Sequence, residues 1–130
     1  MKIAVIGGGP AGAAAAMTLA KAGIETYLIE RDLHHDKPCG GGIPSGALTE
    51  FGISDDIFER KVTKVGVIAP SGLEVVVNVR HGFLGMVDRR KFDASLRERA
   101  VESGAILIEG LFTGFSKKES TPPRPLLSKE

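Results

Sequence analysis

Lys2-Ile-Ala-Val-Ile-Gly-Gly-Gly-Pro-Ala-Gly12 opens the chain, and the next eighteen residues end on Glu25-Thr-Tyr-Leu-Ile-Glu30. An apolar run, a glycine-rich turn, an alanine-rich stretch and a second apolar run tipped by a carboxylate predict a β-α-β unit. The glycine spacing gives each position a task. Gly7 turns the chain tightly off the strand, Gly9 lacks the Cβ that would hold a diphosphate away from the backbone, and Gly12 allows close helix–sheet packing. Pro10 and Ala11 complete the turn, and a phosphate there would meet free N–H groups and the positive end of a helix dipole. Glu30 lies 18 residues beyond Gly12, near the ~20 expected of an acid that accepts hydrogen bonds from a ribose. Its charge would repel a 2′-phosphate, so the expected dinucleotide is FAD or NAD and not NADP. Ala16, a second small residue on the packing face, leans the choice toward FAD.

Working outward, Arg31 to Gly42 is a polar, glycine-rich loop with two histidines. His34 and His35 are adjacent and lack a third ligand, so no metal site is expected. Arg31 is a candidate partner for a phosphate or adenine. Residues 44–60 read as mostly helical, with Pro44 and Ser45 at the start and Leu48, Ile57 and Phe58 giving apolar spacing. Two β-prone runs, 64–69 and 73–79, flank Pro70-Ser-Gly72 and predict a hairpin. Residues 85–88 form a short extended piece, with Asp88 placed to cap a helix over 89–103. Phe92, Leu96 and Ala100, with Val101 beside them, fall at helical spacing, and Gly104 suits the C′ stop. Phe83 and Phe92 are expected in the core, Tyr27 is expected to pack within its strand, and 105–109 reads as a buried strand. The order predicts an α/β Rossmann-like domain with a parallel sheet and a β-hairpin insertion.

The bounds agree with one small domain. There are 130 residues, 42% hydrophobic, and no apolar run approaches the length of a membrane span. A net charge of +1 with dispersed basic residues gives no argument for nucleic acid. A single cysteine, Cys39, excludes an internal disulfide. The first strand begins at Lys2, so no signal or transit peptide is expected and the setting reads as cytoplasmic. From Ser120 onward prolines crowd the sequence, and 116–130 reads as an irregular or disordered tail. The composition changes where another strand should follow, so the chain reads as a fragment, or as one whose tail comes from a shifted reading frame.

Lys37-Pro-Cys-Gly-Gly-Gly42, following the glycine turn and Glu30-Arg31, resembles the geranylgeranyl reductase family of flavoproteins. The likeness continues through Arg60-Lys-Val-Thr-Lys64, Ile68-Ala-Pro-Ser71, Gly85-Met-Val-Asp-Arg89 and Phe92-Asp-Ala-Ser-Leu96, covering about residues 1–115. The resemblance implies a glutathione-reductase-type FAD-binding domain, truncated here, in an enzyme that reduces prenyl double bonds with NADPH. It places Gly7, Gly9 and Gly12 at the pyrophosphate, Glu30 at the ribose, and Arg89 on the flavin side of FAD. Cys39, Gly40 and Gly41 would lie near the isoalloxazine, with Cys39 a candidate proton donor. The substrate would be an isoprenoid lipid or a tetrapyrrole ester, which implies peripheral contact with a photosynthetic or other membrane. Family members also carry a later Gly-Asp motif and the wall of a lipid tunnel, which these 130 residues lack. Two rivals remain at this point. An FAD-dependent aromatic hydroxylase would share the glycine turn, Glu30 and the Arg89 helix, though not Lys37-Pro-Cys-Gly-Gly-Gly42; a truncated, inactive nucleotide-binding module would need no catalytic residues at all.

Overall fold

The computed structural model describes residues 1–35, 37–39 and 41–116. Strand β1 (Lys2–Ile6), helix α1 (Pro10–Lys21) and strand β2 (Glu25–Glu30) form the opening unit, and β1 pairs parallel to β2 from Lys2↔Glu25 to Ile6↔Ile29. Gly7 takes φ +100°, a conformation that side-chain-bearing residues avoid, and its N–H donates to the Ile29 carbonyl at 2.8 Å. Pro10 stands at the start of α1, where its missing N–H has no intrahelical use.

The remaining elements are β3 (Gly42–Pro44), α2 (Gly46–Phe51), β4 (Arg60–Val62), β5 (Lys64–Ile68), β6 (Glu74–Asn78), β7 (Leu84–Met86), α3 (Arg89–Glu102) and β8 (Ile106–Glu109). Strand β8 pairs parallel to β2, giving the order β1-β2-β8, and α1 and α3 pack together against this sheet. Small residues make that close packing possible. Ala13, Ala16, Leu28 and Ala100 are wholly buried and join Ala105 in the core, with Val5, Met17, Leu96 and Leu107 around them. A Cβ on Gly12 would lie 1.8 Å from the Gly7 carbonyl oxygen, so the helix can approach its own turn only because this residue has none.

The cap and stop of α3 form as expected. Asp88 accepts from the N–H groups of Arg90 (2.9 Å) and Lys91 (3.3 Å), and Gly104, at φ +102°, donates to the Val101 carbonyl. The hairpin also forms, β5 against β6, from Lys64↔Asn78 to Ile68↔Glu74.

Three expectations need correction. Residues 44–60 are not one helix: six residues form α2, a 3-10 turn covers Asp55–Ile57, and β3 and β4 flank the stretch. Both strands pair antiparallel with β7, and these long-range ladders override a weak helical spacing that Gly46 and Gly52 already interrupt. Phe58 leaves any helix face and packs edge-on against half-buried Phe83, 5.5 Å between ring centres, over Gly85. Strand β8 is not buried on both faces, since Ile106 and Ile108 are exposed. Val101 lies outside the packed face of α3, at 44% exposure, whereas Phe92 is buried as expected. Tyr27 is half-buried in β2 and its hydroxyl donates to Glu25. The expected tail from Ser120 lies outside the described residues, as does most of 116–130.

Candidate functional site

The glycine turn, the tip of β2, the Cys39 loop and one face of α3 meet at one place. Glu30 carries its carboxylate to the turn, where Oε2 accepts the Gly8 N–H at 2.5 Å and Oε1 accepts the Asp32 N–H at 3.3 Å. Burial by itself would push this carboxyl up. The N–H donors of Gly8, Asp32 and Arg31, with the nearby Arg97 charge, outweigh burial and hold it below the ordinary carboxylate value. Glu30 is thus ionised at the mouth of the turn, with lone pairs left for further donors.

Helix α1 begins at this turn without a side-chain cap, and its first backbone bond runs from the Ala13 N–H to the Gly9 carbonyl at 2.9 Å. The N–H groups of Ala11 and Gly12 precede that bond, so intrahelical acceptors do not exist for them. Among the described residues, a Cβ at Gly9 would meet only the Lys37 Nζ, at 3.5 Å. Open space over Gly9, exposed helical N–H groups and an ammonium above them suit an anion. The small crevice here is lined by Gly9, Glu30, Asp32, Lys37, Asp93 and Arg97, together with His35. Among larger hollows, one of about 570 Å³ lies along α3, and one of about 190 Å³ adjoins the turn itself, lined by Gly7, Glu30 and Arg31 with Ile6, Ile29 and the residues after β8.

Cys39 reaches the site through Gly41. This glycine is buried at φ +65°, and a Cβ on it would come within 2.3 Å of the Val87 carbonyl oxygen. The Val87 N–H returns a bond to the Gly41 carbonyl at 3.1 Å, which docks the loop onto the start of α3. Cys39 is exposed there, and the Gly41 N–H followed by the Arg89 guanidinium holds its thiol below the ordinary cysteine value. Arg89 in turn grips Asp93 through two bonds, Nε to Oδ1 and Nη2 to Oδ2, both 3.1 Å.

The structure therefore brings Gly7, Gly9, Pro10, Ala11, Gly12 and Glu30 to one turn, and Cys39, Gly41 and Arg89 to an adjoining cluster. The Arg31 side chain is exposed at the tip of β2, its backbone N–H directed to Glu30. Gly40 lies outside the described residues, and so does Asp36 beside the two exposed histidines. Among the described residues no three His, Cys, Asp or Glu side chains converge on a metal position.

Three further residues escaped the reading of the sequence. Lys37 covers Gly9, Asp93 pairs with Arg89, and Arg97 is buried with its guanidinium bonded to the turn. A signal existed for two of them. Arg89, Asp93 and Arg97 recur every fourth residue, placing them on one face of α3. Charges on a helix face are usually solvated, and only the fold shows that this face turns inward.

Comparison with known proteins agrees with the architecture. Residues 1–107 match the family described as pyridine nucleotide-disulphide oxidoreductase. A chloroplastic geranylgeranyl diphosphate reductase of Nicotiana tabacum is 52% identical over 115 residues, covering 86% of this chain and 25% of the relative. The crystal structure of a geranylgeranyl bacteriochlorophyll reductase-like protein from Thermoplasma acidophilum superposes with a TM-score of 0.69 at 29% identity, over 82% of this chain and 29% of that one. A myxobacterial chondrochloren halogenase, described as FAD-dependent, shares the fold alone, at 22% identity and a TM-score of 0.66 over 83% of this chain and 28% of its own. The chain spans about a quarter of the length of the curated relatives it matches. With residues 1–107 inside the family's boundaries, the chain belongs to the pyridine nucleotide-disulphide oxidoreductase family, with geranylgeranyl reductases among its relatives.

Proposed function

We propose that this chain binds FAD as part of a reductase that saturates prenyl double bonds of a geranylgeranyl group, with NADPH as donor. One observation carries the reading: an uncapped helix N-terminus opens from a glycine turn with free space at Gly9, and an ionised Glu30 stands beside it. That arrangement fits a dinucleotide. Gly7, Gly9, Pro10, Ala11 and Gly12 would hold the diphosphate, Lys37 would neutralise it from above, and Glu30 would accept from ribose hydroxyls.

When bound, FAD would pass electrons from the nicotinamide to the alkene. Arg89, with Cys39 and the Gly41 that docks on Val87, would adjoin the flavin, and Gly40 between them would do the same. The Gly41 N–H, then the Arg89 guanidinium, lower the pKa of the Cys39 thiol, so it would release its proton more readily than a free thiol, which suits a group that relays a proton. An isolated alkene has no carbonyl to polarise, so proton delivery and exclusion of water matter more than charge at the substrate. The substrate class, an isoprenoid diphosphate or a tetrapyrrole ester as in chlorophyll formation, rests on the relatives' names. Such a substrate favours peripheral membrane contact; no described helix is long and apolar enough to cross a membrane. The proposed FAD-binding domain runs over about 1–115, a reading supported by β8, the last strand among the described residues, which ends at Glu109.

The test is Gly9→Val. Its backbone at φ −72° accepts a side chain, and among the described residues only the flexible Lys37 end stands nearby. The variant is expected to melt like the parent chain and to lose FAD quenching in a fluorescence titration. Unchanged FAD affinity in a folded sample would refute the site.

A further inference from the structure

A glycine turn binds diphosphate through main-chain N–H groups and requires no basic side chain behind it. This chain nevertheless buries one. Arg97 is 7% exposed, and its guanidinium donates to two carbonyls, Nη1 to Gly8 at 3.2 Å and Nη2 to Leu33 at 2.8 Å. Its stem lies against Gly8, where a Cβ would fall 2.9 Å from the Arg97 Cδ. From the other side Glu30 takes the Gly8 N–H. Gly8 is therefore gripped at both its donor and its acceptor, by two opposite charges from β2 and α3.

The consequence follows from peptide geometry. In a trans peptide the C=O of one residue and the N–H of the next point in opposite directions. Fixing the Gly8 oxygen on Arg97 thus fixes the Gly9 N–H away from it. Among three consecutive glycines a peptide flip costs little, because both signs of φ are open to them. A flip at Gly8–Gly9 would turn a carbonyl oxygen to where the N–H now points, and a diphosphate would meet a negative end instead of a positive one.

We propose that Arg97 is a positioning residue that locks the Gly8–Gly9 peptide in its anion-binding orientation and ties the turn to the loop after β2. This role rests on the reading of the turn as a diphosphate site. A ligand series separates it from general support of the fold. FAD, ADP and adenosine are titrated calorimetrically against the 130-residue chain and its Arg97→Met and Arg97→Lys variants. Arg97→Met is expected to weaken ADP and FAD roughly tenfold, about 1.4 kcal/mol, with adenosine changed by less than about twofold, a difference of only a few tenths of a kcal/mol. Arg97→Lys keeps the charge but lacks the two-pronged reach and is expected to fall between. Where Arg97→Met does not fold, as judged by circular dichroism, Arg97→Lys carries the test. Variants that bind ADP as tightly as the parent, or that lose ADP and adenosine in equal proportion, would overturn the role of Arg97. A parent chain that binds neither FAD nor ADP would overturn the site itself and this role with it.

Discussion

Gly9 and Gly12 sit three residues apart in the same turn, yet they face different constraints. Gly9 borders open space, whereas a methyl group at Gly12 would collide with the Gly7 carbonyl. Gly12→Ala is accordingly expected to destabilise the chain far more than Gly9→Val, with thermal melting as the measure. Cys39 offers a second measurable contrast. Its thiol is held below the ordinary value of 9.0 by the Gly41 N–H, then by Arg89. Iodoacetamide should therefore reach half its limiting rate at a pH lower than for a free thiol. Arg89→Ala removes a stabilising donor and leaves Asp93 as an unpaired negative neighbour, so the midpoint should move up. Glu30 fixes a pH limit in the same way. Its pKa is lowered from 4.5 by folding, so its stabilising contact with Gly8 is present above that value and is lost as pH falls through the lowered one. Thermal melts between pH 8 and 5 should show no loss from this group, and a decline should begin only below that range.

Helix α3 joins the two halves of the site. Asp88 caps it, Phe92 and Ala100 bury one side, and Arg89, Asp93 and Arg97 turn another toward the glycine turn and the Cys39 loop. Losing the cap frees two N–H groups without filling the space they occupied, so Asp88→Ala should lower the melting temperature by a few degrees. Strand β2 is the other structural centre, lying between β1 and β8. Leu28 in its middle is wholly buried among Ala13, Ala16 and Ala100. Leu28→Ala should cost roughly 2–5 kcal/mol in denaturant unfolding, because the small neighbours cannot close the cavity.

The β5–β6 hairpin stands apart from the sheet that carries the site. Its register sets Val65 opposite Val77 and Val67 opposite Val75, so one face is a plate of valines. Each of these is exposed, Val67 by 55% and Val75 by 53%. An apolar face of this kind promotes association when it meets only water. The double substitution Val67→Lys with Val75→Lys is expected to leave the FAD titration unchanged, because this hairpin carries no residue of the site.

Features that depend on near neighbours were legible in the order of residues. The β-α-β opening, the glycine turn, the Asp88 cap, the Gly104 stop and the Pro70–Gly72 hairpin each rest on contacts within a few residues, so spacing and backbone preference suffice to specify them. Residues 44–60 depart from their helical spacing because β3 and β4 gain their partners from β7, some twenty to forty residues away, and such pairing outweighs a weak helical pattern. Arg97, Lys37 and the Cys39–Arg89 contact were invisible for a related reason. A charged side chain is equally at home in water, and only the packing of α3 against the turn and the docking of Gly41 on Val87 decide that these groups face the site.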